Sequence, residues 1–218
     1  MKSFKSISNV KINKTTIKKN ITPLPKLFTS TLLTISGVVG DYSFQNGNYV
    51  TSSSSNYNTS FQSYIAFNGS TTLSNSGDAW VSGNNSYSIT TGQCVTNIST
   101  TLTNGTILIG EWLGLRIPNP LSISSYSIVT RNVDMVSSLK NTGPTVWSII
   151  ASNTGVNGSW ILLDSQTVSS SLWHLKTVPI TFSLLNVPTT TYLYYRIVIK
   201  TAGTQYSYAG IKQLNFII

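Results

Sequence analysis

Turn-forming pairs recur along this chain and separate short runs of strand-like sequence: Asn46-Gly47, Asn68-Gly69, Ser76-Gly77, Asn104-Gly105, Gly143-Pro144 and Asn157-Gly158. Asn-Gly pairs supply the positive φ that tight hairpin turns require, and Gly-Pro stops any regular element that reaches it. Between them lie short runs that alternate apolar and polar residues, the period of a half-buried strand. The clearest are Leu113–Ile117, Ser125–Arg131, Val146–Ser152, Trp160–Ser165, Tyr192–Lys200 and Lys212–Ile218. In the run from Tyr192, one face carries Tyr192, Tyr194, Arg196 and Val198, and the other carries Leu193, Tyr195, Ile197 and Ile199. The second set is the core face. No amphipathic stretch of helical length interrupts the series. The rhythm therefore predicts an all-β sandwich or barrel.

That region is expected to fill residues 35–218, behind an extended arm of residues 1–34. Seven lysines (Lys2, Lys5, Lys11, Lys14, Lys18, Lys19 and Lys26) and no acid fall in residues 1–26, whereas the rest of the chain balances seven basic residues against five acids. The net charge of +9 thus belongs mainly to the arm. Thr22-Pro23-Leu24-Pro25 keeps the arm extended. Leu27 to Val39 is apolar and β-branched, a first strand or a docking segment, and Ser-rich Thr51 to Ser60 reads as a loop or an edge strand. No run reaches the length of a membrane-spanning helix, and the lysines precede no apolar core of a secretory signal.

The stock of catalytic groups is small. Cys94 and His174 are each the only residue of their kind, and Asp41, Asp78, Glu111, Asp134 and Asp164 never fall as a close pair. Phosphate-binding loops, dinucleotide fingerprints, nucleophile elbows and zinc helices are all absent from the sequence. These residues predict a chain that is not an enzyme and needs no cofactor or metal. Ser, Thr and Asn make up about 38% of the chain and charged residues 9%, so its surface presents mainly hydroxyls and amides.

An ordered series runs through the last two-thirds. It comprises Tyr64-Ile65-Ala66-Phe67-Asn68-Gly69, Asp78-Ala79-Trp80, Glu111-Trp112-Leu113-Gly114-Leu115-Arg116, and Tyr126-Ser127-Ile128 leading to Arg131. Trp147-Ser148-Ile149-Ile150, Gly158-Ser159-Trp160, Tyr194-Tyr195-Arg196-Ile197 and Ile211-Lys212-Gln213-Leu214 follow. This order resembles the discoidin, or coagulation-factor C-terminal, branch of the galactose-binding-like family over roughly residues 40–218. The resemblance implies a jelly-roll β-sandwich that serves as a binding scaffold. It also implies two departures. The positions that carry calcium-ligating acids in many relatives hold Asn68 and Gln213, and the disulfide of secreted relatives is missing.

Two functions are expected of such a chain. The Asn-, Lys- and Ile-rich composition, the missing secretory signal and an arm that cannot order itself alone predict a minor capsid or capsid-associated protein of a large virus particle. Its partners would be neighbouring capsid proteins, with non-specific nucleic-acid contact through the lysines. The alternative is a glycan-binding module for host attachment, with Asp78, Trp80 and Arg131 as its sugar-facing cluster. Trp80 and Trp173, in polar surroundings, are the expected exposed stacking rings, whereas Trp112, Trp147 and Trp160 are expected in the core.

Overall fold

The computed structural model describes residues 31–32 and 42–44 as backbone, and residues 49–68, 79–131, 142–173 and 178–218 in full. The seven arm lysines, Asp78 and His174 lie outside the described residues. Among the described residues fourteen strands follow in chain order. The first seven are β1 (Thr31–Leu32), β2 (Tyr42–Phe44), β3 (Tyr49–Ser53), β4 (Trp80–Val81), β5 (Ser99–Thr101), β6 (Ile107–Ile109) and β7 (Glu111–Leu121). Then come β8 (Ser125–Val129), β9 (Pro144–Ser152), β10 (Ile161–Thr167), β11 (Ile180–Ser183), β12 (Tyr192–Ala202), β13 (Gly210–Ile211) and β14 (Gln213–Ile217). Helical structure among the described residues is confined to two 3₁₀ turns, Ser63–Phe67 and Ser170–Trp173. All six strands read from the sequence are present, each shifted by a few residues at most.

Seven strands form the larger sheet in the order β1-β2-β3-β7-β12-β9-β10, and β11-β8-β14 form the smaller one. All pairings within both sheets are antiparallel. The segment expected as a loop or edge strand divides instead. Tyr49–Ser53 is an interior strand, because β2 covers its outer side and β7 its inner one. Residues beyond Ser53 form the expected loop.

The core lies between the two sheets. Leu113, Leu115 and Ile117 of β7, Tyr195, Ile197 and Ile199 of β12, and Trp147, Ile149 and Ala151 of β9 meet Tyr126 and Ile128 of β8 and Leu214 and Phe216 of β14. Alternation on each strand puts these residues on one side, so a one-residue slip would turn every one of them to the outer face. Leu193 is only half-buried at the strand's start; the rest of the expected β12 face is buried. Asp164 enters this core from β10. It accepts a hydrogen bond from the Tyr126 hydroxyl at 2.7 Å, and the Tyr126 oxygen in turn accepts from Trp147 Nε1 at 2.8 Å.

A third layer covers the outer side of the large sheet. The β5–β6 hairpin folds over it through a turn at Asn104-Gly105, where Gly105 adopts a φ of +81°. Asn157-Gly158 makes a second such turn, with φ +84° at Gly158. Beneath the hairpin, Leu102, Trp112, Ile150, Trp160 and Val198 form a separate apolar cluster. Trp112 and Trp160 are thus buried as expected, but in this outer cluster rather than between the sheets. The Arg196 guanidinium lies between their rings, 3.6 Å from the Trp112 centroid and 4.2 Å from that of Trp160, and donates to Thr100 Oγ1. A planar cation between two indoles is a stacking contact that lysine cannot reproduce.

Candidate functional site

At one edge of the sandwich a cation and four aromatic rings come together. Arg131 lies just beyond Thr130, which follows β8, and its guanidinium sits 4.8 Å from the Phe61 ring centroid and 5.9 Å from that of Tyr208. Tyr57 stands edge-on to both Phe61 (5.9 Å) and Tyr208 (5.3 Å), and Tyr206 stacks on Tyr208 at 5.0 Å. Arg131 is 5% exposed, whereas Tyr57 is 42% exposed and forms the open rim. Burial raises the Tyr208 hydroxyl above its ordinary value, and the charge and hydrogen bond of Arg131 oppose that rise. Such a surface offers stacking faces to an apolar sugar face and a donor fork to its oxygens.

Three separate stretches are held in register to build it. The 54–61 loop is stitched to β4: Tyr57 N–H donates to the Val81 carbonyl at 2.8 Å, and Val81 N–H to that of Phe61 at 3.4 Å. Asn56 Nδ2 donates to Gln62 Oε1 at 3.0 Å and closes the loop on itself. Its base is tied to Glu111, a fully buried carboxylate that accepts from Ser54, from Ser55 at 2.5 Å and from Thr96 at 3.1 Å. Among the described residues, hydroxyls supply the hydrogen bonds of this buried carboxylate, and its role is to anchor the loop. Tyr208 is placed by β13, which pairs with β4, and by a reciprocal pair of bonds between Ser82 and Ala209. Gly210 lets Arg131 lie flat, since a Cβ there would come within 2.6 Å of Arg131 Cδ.

Of the residues the sequence singled out that lie among the described ones, Arg131 alone belongs to this surface. Trp80 is fully buried beneath it, and its Nε1 donates to the Ser55 carbonyl at 3.0 Å. Trp173 is buried as well, beside Trp147 and Phe182 at centroid distances of 6.0 and 6.2 Å, with Nε1 donating to the Pro144 carbonyl at 2.8 Å. The expectation that both rings are exposed is therefore corrected. A backbone carbonyl takes each indole N–H, so each ring is buried without stranding its polar edge. Asp78 lies outside the described residues. Tyr57, Phe61, Tyr206 and Tyr208 were not singled out, although Tyr206-Ser207-Tyr208 and Tyr57 in polar sequence are the type of aromatic that surfaces use.

Asn68 ends the first 3₁₀ turn, which packs on β14, the strand that opens with Gln213. Gln213 Nε2 donates to Asn215 Oδ1 at 3.1 Å. Neither residue brings a carboxylate, and calcium affinity follows carboxylate number. Adding millimolar calcium is expected to move the thermal midpoint by less than about 2 °C. A larger rise in a melting curve would contradict this reading.

A second concavity of about 360 Å³ lies on the outer face of the large sheet. Ile107 and Ile109 of β6, Val198 and Lys200 of β12, and Ser148 and Ser165 line it. Trp147 contributes from below with its ring in the core, so among the described residues the groove offers no exposed ring for a sugar to stack on.

No protein-family model matches the chain, and no curated protein matches it. Solved structures do. The family 32 carbohydrate-binding module of Clostridium perfringens NanJ, in complex with galactose, aligns over 82% of this chain and 99% of its own at 17% identity, with a TM-score of 0.51. The CpGH89CBM32-5 module of Clostridium perfringens, in complex with GalNAc-β-1,3-galactose, aligns over 78% and 95% at 14% identity and a TM-score of 0.50. A point mutant of chitosan-binding module 1 from a Paenibacillus sp. IK-5 chitosanase/glucanase aligns over 78% and 95% at 16% identity, also with a TM-score of 0.50. The fold is an all-β sandwich of the galactose-binding-like type, as the sequence predicts, and it is the fold of family 32 carbohydrate-binding modules.

Proposed function

We propose that this chain is a carbohydrate-binding module that seats a sugar on the Tyr57, Phe61 and Tyr208 rings beside Arg131, and that it catalyses nothing itself. The observation that carries this reading is the aromatic cluster around a buried guanidinium at an open rim. Support comes from two proteins of the same fold that were solved with galactose and with GalNAc-β-1,3-galactose. The two described acids also favour it, since Glu111 and Asp164 are buried and hydrogen-bonded to hydroxyls, which suits scaffolding better than proton transfer. A glycan array probed with the full chain is expected to give a defined set of hits. Tyr57→Ala is expected to weaken them about tenfold, with an unchanged melting curve because Tyr57 stands at the rim. An array without hits, or full retention by Tyr57→Ala, would remove the proposal.

A second reading keeps the packing role in a large virus particle. Its support is the set of exposed apolar side chains at Ile107, Ile109, Leu185 and Val187, which suit burial against neighbours. The lysine arm would then reach between capsid proteins or toward nucleic acid. A chain lacking residues 1–30 that still assembled normally into particles would eliminate this reading.

A further inference from the structure

The groove on the outer face of the large sheet runs along an unpaired strand edge. In an antiparallel ladder, bonded and unbonded residue pairs alternate. Leu102 N–H donates to the Thr106 carbonyl and Gly110 N–H to that of Ile98, and Thr100 stands opposite Leu108 midway between these bonds. Leu108 therefore turns its N–H and C=O to β5, while Ile107 and Ile109 turn theirs to the groove, which all three residues line. Among the described residues, β6 pairs with β5 alone. Other edges are covered: Asn186 N–H donates to the Leu163 carbonyl of β10, and the first 3₁₀ turn packs on β14. Proteins commonly guard an open edge with charge or proline. Residues 98–110 have neither, and Ile107 and Ile109 are 61% and 54% exposed.

We propose that β6 accepts an extended peptide segment of a partner protein as an added strand. The floor of the groove decides what fits. It is built by β9, β10 and β12, with Ser148 opposite both Ser165 and Val198. A second copy could bring its own β6 alongside only by driving its β9 and β10 into these strands, because paired strands lie about 4.8 Å apart. A lone strand meets no such clash. Its residues opposite Ile107 and Ile109 stand beside those side chains and suit β-branched types. The alternate residues point down at the hydroxyls of Ser148, Ser165 and Thr167 and at Lys200. Lys200 is exposed and is the one charged side chain of the lining among the described residues, so a carboxylate belongs on that side of the peptide. The lysines of the arm have the wrong charge for this place. The groove shares no residue with the Arg131 cluster, so the inference stands apart from the carbohydrate-binding reading.

The test selects random linear peptides displayed on phage against the full chain, and titrates the synthetic form of the most enriched one. The enriched peptides are expected to alternate β-branched residues with polar ones that include Asp or Glu, with no proline inside the paired stretch. Ile109→Pro removes an N–H that faces the groove and none of the hairpin's own bonds. It is expected to weaken the peptide at least about tenfold with an unchanged melting curve. Lys200→Glu is expected to turn the selection from acidic to basic peptides. If Ile109→Pro does not fold, methylation of the peptide's own amides decides: one alternate set should abolish binding and the other should leave it intact. No enrichment, equal binding by a folded Ile109→Pro, or equal effects of the two methylated sets would overturn the proposal. Enrichment only after residues 1–30 are removed would overturn it as well, by assigning the groove to the chain's own arm.

Discussion

Replacing Trp147 with alanine is expected to cost about 3–5 kcal/mol of folding stability, the range for removing a large buried ring from a close-packed core. Trp147 is 1% exposed, and its ring meets Phe182 edge-on at 5.1 Å and Trp173 at 6.0 Å. The loss has a polar part too, because Trp147 Nε1 donates to the Tyr126 oxygen, whose own proton goes to Asp164. Truncation takes away a donor from a buried chain that is otherwise complete. For a domain of this size the thermal midpoint should fall by roughly 10 °C or more. Leu185→Ala, at a side chain 74% exposed, is the control and should stay within about 0.5 kcal/mol. A Trp147→Ala melt indistinguishable from that control would contradict the packing between the two sheets.

The second large effect is alkaline. Burial raises the hydroxyls of Tyr87, Tyr126 and Tyr195 above their ordinary value. The charges of Cys94 and Glu111 add to the rise at Tyr87, and the hydrogen bond and charge of Asp164 add to it at Tyr126. The folded state therefore keeps these groups neutral after the unfolded chain has begun to ionise near pH 10. Their contribution is complete below that pH and is lost as pH rises beyond it. Each fully buried tyrosine costs about 1.4 kcal/mol per pH unit, so Tyr87 and Tyr126 together give a slope of roughly 3 kcal/mol per unit. Tyr195 acts in the same direction. Tyrosinate absorbance and circular dichroism followed from pH 9 to 12 should show a late, cooperative fraction of the ionisation coinciding with unfolding. Smooth titration of all 11 tyrosines near pH 10 with the fold intact would contradict the burial of this set.

Much of the sandwich is legible in the sequence because its signals are local. Asn104-Gly105 and Asn157-Gly158 mark turns that do adopt positive φ, and the alternation after Tyr192 assigns Tyr195, Ile197 and Ile199 to the core. Less local features are harder to read. The β5–β6 hairpin is made of three-residue strands, and its apolar underside completes a cluster whose other members come from β7, β9 and β12. No sequence period announces such a third layer. The site shows the same limit. Trp80 and Trp173 sit in polar sequence, which suggests exposure, yet each is buried because a distant carbonyl satisfies its N–H. Phe61, Arg131 and Tyr208 are separated by 70 and 77 residues, and only the pairing of β4 with β13 and the end of β8 bring them together.

The pairing of β4 and β13 also sets how the site can fail. Glu111, Trp80 and Ser82 hold its loops from behind and do not form part of the open rim. Changes there should weaken binding together with stability, whereas changes at Tyr57 should weaken binding alone. The two classes separate recognition from support.

Nuclear magnetic resonance mapping of the bound sugar tests the central claim most directly. With a glycan selected from the array, the largest perturbations are predicted at the Arg131 Nε–H and at the ring signals of Tyr57, Phe61 and Tyr208. Perturbations gathered instead around Ile107, Ile109 and Lys200, with the Arg131 signals unmoved, would contradict it.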